Sequence, residues 1–191
     1  MQADDNMNVI NMKSSKRIAL VAHDNMKKAL LEWARYNKEL LAQHELYATG
    51  STGSLLSTAL GVEVRCFKSG PLGGDQQIGA KIAEGGIDIV VFFWDPLEPH
   101  PHDVDVKALL RIAVVYNIPI ACNRASADFV ISSHLMHEPY ERMVEDFESM
   151  QVQRVAALQG KSANNSDNPD LRNSRYIAAS SEAFIPCLIS S

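Results

Sequence analysis

Residues 17–60, "RIALVAHDNMKKALLEWARYNKELLAQHELYATGSTGSLLSTAL", alternate between short apolar runs and longer amphipathic segments. "RIALVA" (17–22) and "ELYA" (45–48) have the length and the aliphatic content of buried strands. A helical pattern follows each of them, near Asn25 to Asn37 and from Thr52 to about Leu60. Strands that are each followed by a helix are typical of β-α-β units, in which the strands run parallel within one sheet.

The rest of the chain continues this alternation with three more strands and two more helices: "VEVRCF" (62–67), a helix from Asp75 to Glu84, "DIVVFFW" (88–94), a helix from Val104 to Tyr116, and "IPIAC" (118–122). The run Ile89–Trp94 is apolar on both faces, which indicates a middle strand covered by helices on each side. The sequence therefore predicts one three-layer α/β domain, a five-stranded parallel sheet flanked by helices in a Rossmann-like or flavodoxin-like arrangement.

The two ends of the chain lie outside this alternation. Residues 1–16 are mostly polar, and most of residues 159–191 are turn-forming without an apolar period, so we expect a flexible N-terminal segment and a disordered C-terminal tail. Residues 17–158 then form the domain. A last helical pattern, from about Glu138 to Leu158, closes it.

Charge and cysteine content exclude several classes of protein. The 191 residues carry a formal net charge of −5, which argues against a broad nucleic-acid surface and against attraction to anionic membranes. Three cysteines, Cys66, Cys122 and Cys187, form no C-x-x-C pair and predict neither a disulfide framework nor a zinc site. The opening residues lack the apolar core of a signal peptide, so we expect a cytoplasmic location with no membrane insertion.

The turn "ATGSTG" (48–53), between a strand and a helix, is a candidate phosphate site. Gly50 would let the backbone approach an anion, while Thr49, Ser51 and Thr52 offer hydroxyls and helix N-terminal N–H groups. Lys27 could add a positive charge, although a lysine at such a position, taken by itself, is more often a solvated surface residue. The hydroxyl residues could instead serve only as helix N-caps. Neither a P-loop nor a G-x-G-x-x-G motif is present.

"SGPLGGDQQIGA" (69–80) places a carboxylate directly after a glycine-rich turn. The glycines would let the main chain pass close to a small ligand, and Asp75 would begin the next helix as a candidate general base. The alternative is that Asp75 only caps its helix and that the glycines only make turns.

"WDPLEPHPHDVD" (94–105) contains two histidines and several carboxylates after the fourth strand. The spacing matches neither H-E-x-x-H nor a zinc finger, so the sequence does not predict a metal, and metal binding is the lesser alternative. His102 with Asp105 resembles an acid/base imidazole steadied by a carboxylate, and Asp105 could equally cap the following helix. Asp95 could simply begin a turn before its proline.

In this order and at these separations, "ALVAHD", "LYATGSTG", "SGPLGGDQQIGA", "VVFFWDPLEPHPHDVDVKALLR" and "ASADF" closely resemble the methylglyoxal synthase family. The resemblance covers about Arg17 to Leu158. It implies the methylglyoxal synthase-like fold and a lyase that converts dihydroxyacetone phosphate to methylglyoxal and inorganic phosphate without a cofactor, a bypass of glycolysis. It also implies a homohexamer that phosphate inhibits allosterically.

The resemblance also implies roles for individual residues. Asp75 matches the catalytic base, His102 the histidine that contacts the substrate oxygens and relays protons, and Asp95 and Asp105 the acids that support it. The matching substrate-binding residues are His23, Lys27, Thr49, Gly50, Ser51, Thr52, Ser69, Gly70 and His102. Arg154 falls where the family has an arginine that reaches a neighbouring subunit's site. Related domains without the acid and the histidine are regulatory modules that bind phosphorylated effectors, which is the main alternative.

Overall fold

The computed structural model describes residues 7–99 and 103–165. The chain divides into two compact units, one that ends at Asp146 and one that begins at Phe147. The described part of the second unit is a single helix, so the sheet and the strand-end loops belong to the first unit.

A five-stranded parallel sheet forms the centre of the first unit, as the sequence predicts. The strands of the described residues are β1 (Met7–Met12), β2 (Arg17–Ala22), β3 (Glu45–Thr49), β4 (Val64–Phe67), β5 (Ile89–Phe93), β6 (Ile120–Ala121) and β7 (Tyr140–Glu145). The sheet has the order β4-β3-β2-β5-β6 and every neighbouring pair in it is parallel. All of β5 is buried, as expected for an inner strand, although β2 occupies the middle position.

Helices cover the sheet on both faces. In the first unit the helices are α1 (Lys27–Tyr36), α2 (Lys38–Leu41), α3 (Gly50–Leu60), α4 (Gly74–Ala83), α5 (Asp103–Val115) and α6 (Arg124–Ile131). The helix of the second unit is α7 (Phe147–Asn165). Buried side chains of α1, α3 and α6 form one core with one face of the sheet, including Trp33, Leu56 and Ile131. Buried side chains of α4 and α5, including Ile78 and Leu109, form a second core with the other face. These two apolar cores make the three-layer α/β domain.

A pair of antiparallel strands corrects the predicted secondary structure at both ends of the unit. β1 pairs with β7, with Met7 opposite Glu145 and Met12 opposite Tyr140. β1 lies inside the segment 1–16 for which we expected flexibility, and β7 lies inside the expected helix from Glu138, which instead begins at Phe147. In β7 only Arg142 and Val144 are buried, which is the period of two of a strand. The apolar residues Met143, Phe147 and Met150 are spaced by four and three, and this helical spacing led to the wrong prediction for 138–146. The partner strand lies more than a hundred residues away, so local periodicity did not identify the pair.

A buried carboxylate ties β2 to the residue before β5 at the amino end of the sheet. Asp88 is 1% exposed and accepts hydrogen bonds from the backbone N–H of Arg17 at 2.8 Å and from its Nε and Nη2 at 2.9 and 2.6 Å. The Asp88 carboxylate, through its hydrogen bonds, raises the pKa of Arg17. The opposite, carboxyl end of the sheet is left to the loops that carry the candidate site residues.

Candidate active site

A cavity of about 470 Å³ lies at the carboxyl ends of β2 and β3. Because parallel strands end at the same edge, the loops after them converge there. The lining combines hydroxyl, imidazole, ammonium and carboxylate side chains with apolar and backbone surface: Val21, Ala22, His23, Asp24, Lys27, Thr49, Ser51, Thr52, Ser69, Gly70, Pro71 and Asp75. Asp75 therefore shares one cavity with Thr49 and Thr52.

The β3–α3 turn supplies the hydroxyl groups of the cavity. Thr49 ends β3 in an extended conformation and α3 begins at Gly50, so the first N–H groups of α3 have no partner within the helix. Thr49 and Thr52 are 5% and 2% exposed. A helix N-terminus beside buried hydroxyls favours a bound anion.

Gly50 is needed for packing. A Cβ there would lie 3.0 to 3.1 Å from the backbone N, Cα and Cβ of Ser69. The absence of a side chain at Gly50 therefore lets the β3–α3 turn pack closely against the loop after β4, and its role in binding an anion stays a prediction. Ser69 and Gly70 still line the cavity.

Lys27 brings a positive charge to this turn. Its Nζ donates a hydrogen bond to Ser51 Oγ at 2.7 Å and forms an ion pair with Asp24 Oδ1 at 2.5 Å. The side chain of Lys27 is 22% exposed and that of Asp24 is 89% exposed. Among the described residues that line the cavity, Lys27 is the only lysine or arginine. A phosphate in the cavity would thus meet one fixed cation.

The ring of His23 has a defined orientation. His23 is 5% exposed, and its Nδ1 accepts a hydrogen bond from the backbone N–H of Asp95 at 3.2 Å. Its ring packs edge-on against Phe92 with the ring centroids 5.1 Å apart. A neutral imidazole that accepts at Nδ1 carries its proton on Nε2, so His23 can act there as a hydrogen-bond donor.

Asp75 lies in the first turn of α4 and is 3% exposed. Gly74, just before it, faces the chain's own backbone, because a Cβ there would lie 2.0 Å from the carbonyl oxygen of Lys68. Gly74 therefore packs closely against the loop 68–69, while the approach of this turn to a ligand stays a prediction. Gln77 fixes the same loop, since its Oε1 accepts a hydrogen bond from Lys68 N at 2.8 Å.

The two acids that the resemblance predicts to support His102 are Asp95 and Asp105, and both lie close to residues that line this cavity. Asp95 is half-buried and contacts His23 through its backbone N–H, and Asp105 is half-buried in the first turn of α5. Each accepts a hydrogen bond from a side-chain amide: Asn25 Nδ2 donates to Asp95 Oδ2 at 3.1 Å, and Gln76 Nε2 donates to Asp105 Oδ1 at 3.0 Å. Sequence reasoning assigned no role to Asn25 or Gln76, because only the folded chain brings them to those carboxylates.

Two further residues that the sequence predicts for the site are His102 and Arg154. His102 lies outside the described residues. Arg154 is exposed on α7, in the second unit, and its contribution to a neighbouring subunit's site stays a prediction.

The described part of the chain contains neither a candidate metal cluster nor a candidate membrane-spanning helix. Within residues 7–99 and 103–165, no group of three or more histidine, cysteine, aspartate or glutamate side chains could hold a metal ion. No helix among those residues has the length and apolar content required to cross a bilayer.

Comparison with known proteins identifies the family. Residues 29–122 match the family model of the MGS-like domain. The chain is 57% identical over 147 residues to methylglyoxal synthase of Saccharophagus degradans, a match that covers 77% of this chain and 96% of that protein. It is 56% identical over 138 residues to methylglyoxal synthase of Leptospira interrogans, covering 72% and 93% of the two chains.

A solved structure agrees with the sequence relatives. The crystal structure of methylglyoxal synthase from Elizabethkingia anophelis superimposes with a TM-score of 0.71 at 49% identity, covering 75% of this chain and 95% of that one. The resemblance found in the sequence is thereby confirmed, and the chain belongs to the methylglyoxal synthase family of lyases.

Proposed function

We propose that this protein converts dihydroxyacetone phosphate to methylglyoxal and inorganic phosphate, without a cofactor, and that Asp75 is the base. The observation that carries the proposal is that the buried Asp75 lines the same cavity as Thr49, Thr52 and Lys27. A carboxylate within one small cavity with an anion site suits a substrate that carries both an acidic C–H bond and a phosphate.

The phosphate would bind at the β3–α3 turn. The N–H groups of Ser51 and Thr52, the hydroxyls of this turn and the ammonium of Lys27 would contact its oxygens. Ser69 and Gly70 line the cavity next to this turn and would close the site around the substrate. Lys27 would then exchange part of its interaction with the exposed Asp24 for the phosphate.

The first chemical step would be removal of a proton from the hydroxymethyl carbon next to the carbonyl. That proton is weakly acidic, so a carboxylate can remove it only if hydrogen-bond donors stabilise the enediolate that forms. His23, with its Nε2–H, is one such donor. By family resemblance His102 would be a second donor and relay protons, with Asp95 and Asp105 supporting it.

Loss of phosphate follows from the geometry of the enediolate. Its electron pair forms a new carbon–carbon double bond as the C–O bond to phosphate breaks, which requires that bond to stand out of the enediolate plane. The site would therefore fix this torsion as well as bind charge, because a phosphate held in the plane would favour isomerisation. The enol that leaves becomes methylglyoxal by tautomerisation.

The test is to mix the purified protein with dihydroxyacetone phosphate, with and without EDTA, and to measure methylglyoxal and phosphate. We expect both products in equal amounts, with or without the chelator. A protein that binds phosphate without forming products would be a regulatory effector-binding module, and activity that EDTA abolishes would indicate a metal-dependent hydrolase. Either result contradicts the proposal.

Family membership also supports expectations about assembly and setting. We propose a cytoplasmic homohexamer in which Arg154 reaches a neighbouring subunit's site, with inorganic phosphate as product and cooperative inhibitor. Such inhibition suits an enzyme that bypasses glycolysis and makes a toxic product, because phosphate would compete for the site that binds the substrate. Light scattering and substrate titrations at several phosphate concentrations test these points.

A further inference from the structure

We propose that the side-chain amides of Asn25 and Gln76 are positioning residues, which hold the carboxylates of Asp95 and Asp105 beside the active site. The proposal rests on the proposed function, since it assigns these amides to the same reaction. Neither amide contacts the reacting atoms in this scheme; each acts through a carboxylate.

Gln76 joins the first turns of two helices. It follows Asp75 on α4, and its Nε2 donates to Asp105 Oδ1 on α5 at 3.0 Å. Asp75, Gln76 and Asp105 also line one groove between α4 and α5. The hydrogen bond therefore fixes the supporting acid relative to the turn that carries the base.

Asn25 makes a comparable connection between the loops after β2 and β5. Its Nδ2 donates to Asp95 Oδ2 at 3.1 Å and to Glu98 Oε2 at 2.5 Å. The backbone N–H of Asp95 in turn donates to His23 Nδ1. Asn25 thus fixes the residue that sets the orientation and the tautomer of the His23 ring.

An amide suits this task because it is a neutral donor. It orients a carboxylate by a hydrogen bond and leaves the negative charge of that carboxylate in place. The ammonium of a lysine would neutralise the charge. Both amide side chains belong to exposed residues, and neither hydrogen bond is buried. Their contribution to folding should therefore be small, which favours a role in positioning over a role in stability.

The test compares Gln76→Glu and Asn25→Asp with wild type. Each substitution keeps the size of the side chain but replaces the donor by an acceptor and sets like charges together. We expect kcat to fall on the order of 10-fold in each variant, with KM and thermal stability nearly unchanged, because the supporting carboxylates move while the phosphate site stays intact. The controls are Gln43→Glu and Asn8→Asp, which make the same chemical changes at exposed positions. Gln43 lies near the amino end of the sheet and Asn8 lies on β1, so kcat should stay unchanged in both.

A double-mutant cycle separates positioning from a general effect of the charge. In an Asp105→Asn background the introduced amide can donate to the new carboxylate, so Gln76→Glu should change kcat less than about 2-fold. An equal loss in both backgrounds overturns the proposal, as does an unchanged kcat in the single variants. If Asp105→Asn abolishes turnover, the kcat values of the single variants Gln76→Glu and Asn25→Asp decide alone.

A wild-type protein that forms no methylglyoxal overturns the proposed function and this inference together. An active wild type with unaffected variants overturns this inference alone.

Discussion

Asp75 and Lys27 reach one cavity from helices on opposite faces of the sheet. Asp75 belongs to α4, which packs in one apolar core, and Lys27 begins α1, which packs in the other. The edge of the sheet is where side chains from both layers can meet. In the proposed reaction the acid removes a proton and the ammonium binds phosphate, so the two residues should differ in their kinetic signatures.

Replacing Asp75 by asparagine should remove the base and keep the shape of the site. We expect kcat to fall by on the order of 10² or more, while phosphate still binds. Steady-state kinetics with dihydroxyacetone phosphate measures the first effect, and calorimetry with inorganic phosphate measures the second. Normal turnover in Asp75→Asn would refute its role as the base.

Replacing Lys27 by alanine should chiefly weaken substrate binding. A lost charge-assisted hydrogen bond corresponds to a KM that rises roughly 10- to 100-fold. Lys28→Ala is the matched control, because Lys28 is the exposed neighbour in α1 and does not line the cavity. If KM and kcat both stay at wild-type values in Lys27→Ala, the lysine is a surface residue.

The strands form one sheet edge because the carboxylate of Asp88 and the backbone register together align β2 with β5. Ile18 lies opposite Ile89 and Ala22 opposite Phe93, so the loops that carry His23 and Asp95 leave the sheet side by side. The His23–Asp95 hydrogen bond depends on that register. A substitution at the amino end of these strands should therefore lower the free energy of unfolding more than it lowers the rate of the reaction.

Asp88→Asn should lower the free energy of unfolding by about 2 kcal/mol, less than for a fully buried ion pair because Arg17 is partly exposed. Urea denaturation of the variant and of wild type measures the difference. Glu45→Gln is the control. Both side chains of the Glu45–Arg65 ion pair, at the same end of the sheet, are exposed, so this pair should contribute little to the free energy of unfolding. Equal stability of Asp88→Asn and wild type would contradict this account.

At the scale of the whole molecule, a histidine far from the cavity should make stability depend on pH. Burial, with smaller effects of His137 and Lys16, lowers the pKa of His44 to about 4. Its Nδ1 accepts a hydrogen bond from the backbone N–H of Lys16 at 3.2 Å, and its ring stacks on His137 with the ring centroids 5.9 Å apart. The native state therefore holds His44 neutral at pH values where the unfolded chain protonates it.

The sign of the effect follows from that difference. As pH falls from about 6.5 towards 4, His44 is protonated in the unfolded state but not in the native state. The free energy of unfolding therefore falls by up to about 1 kcal/mol per pH unit. Urea denaturation at pH 7.5 and pH 5.5 should show a smaller loss in His44→Gln than in wild type. The exposed His134→Gln should behave as wild type, and equal losses in all three proteins would contradict the assignment.

The layered α/β architecture, and the loops on which the candidate site residues lie, could be predicted from the sequence alone. Parallel strands are buried on both faces and appear in the sequence as continuous apolar runs. Their carboxyl ends share one edge of the sheet, so the sequence places His23, Thr49, Ser69 and Asp75 at that edge. The folded chain was needed for what depends on contacts between distant segments: the pairing of β1 with β7, the close approach of Gly50 to Ser69, and the hydrogen bonds of Asn25 and Gln76 to their carboxylates. Such contacts form only after the chain has closed long loops, and no local period in the sequence records them.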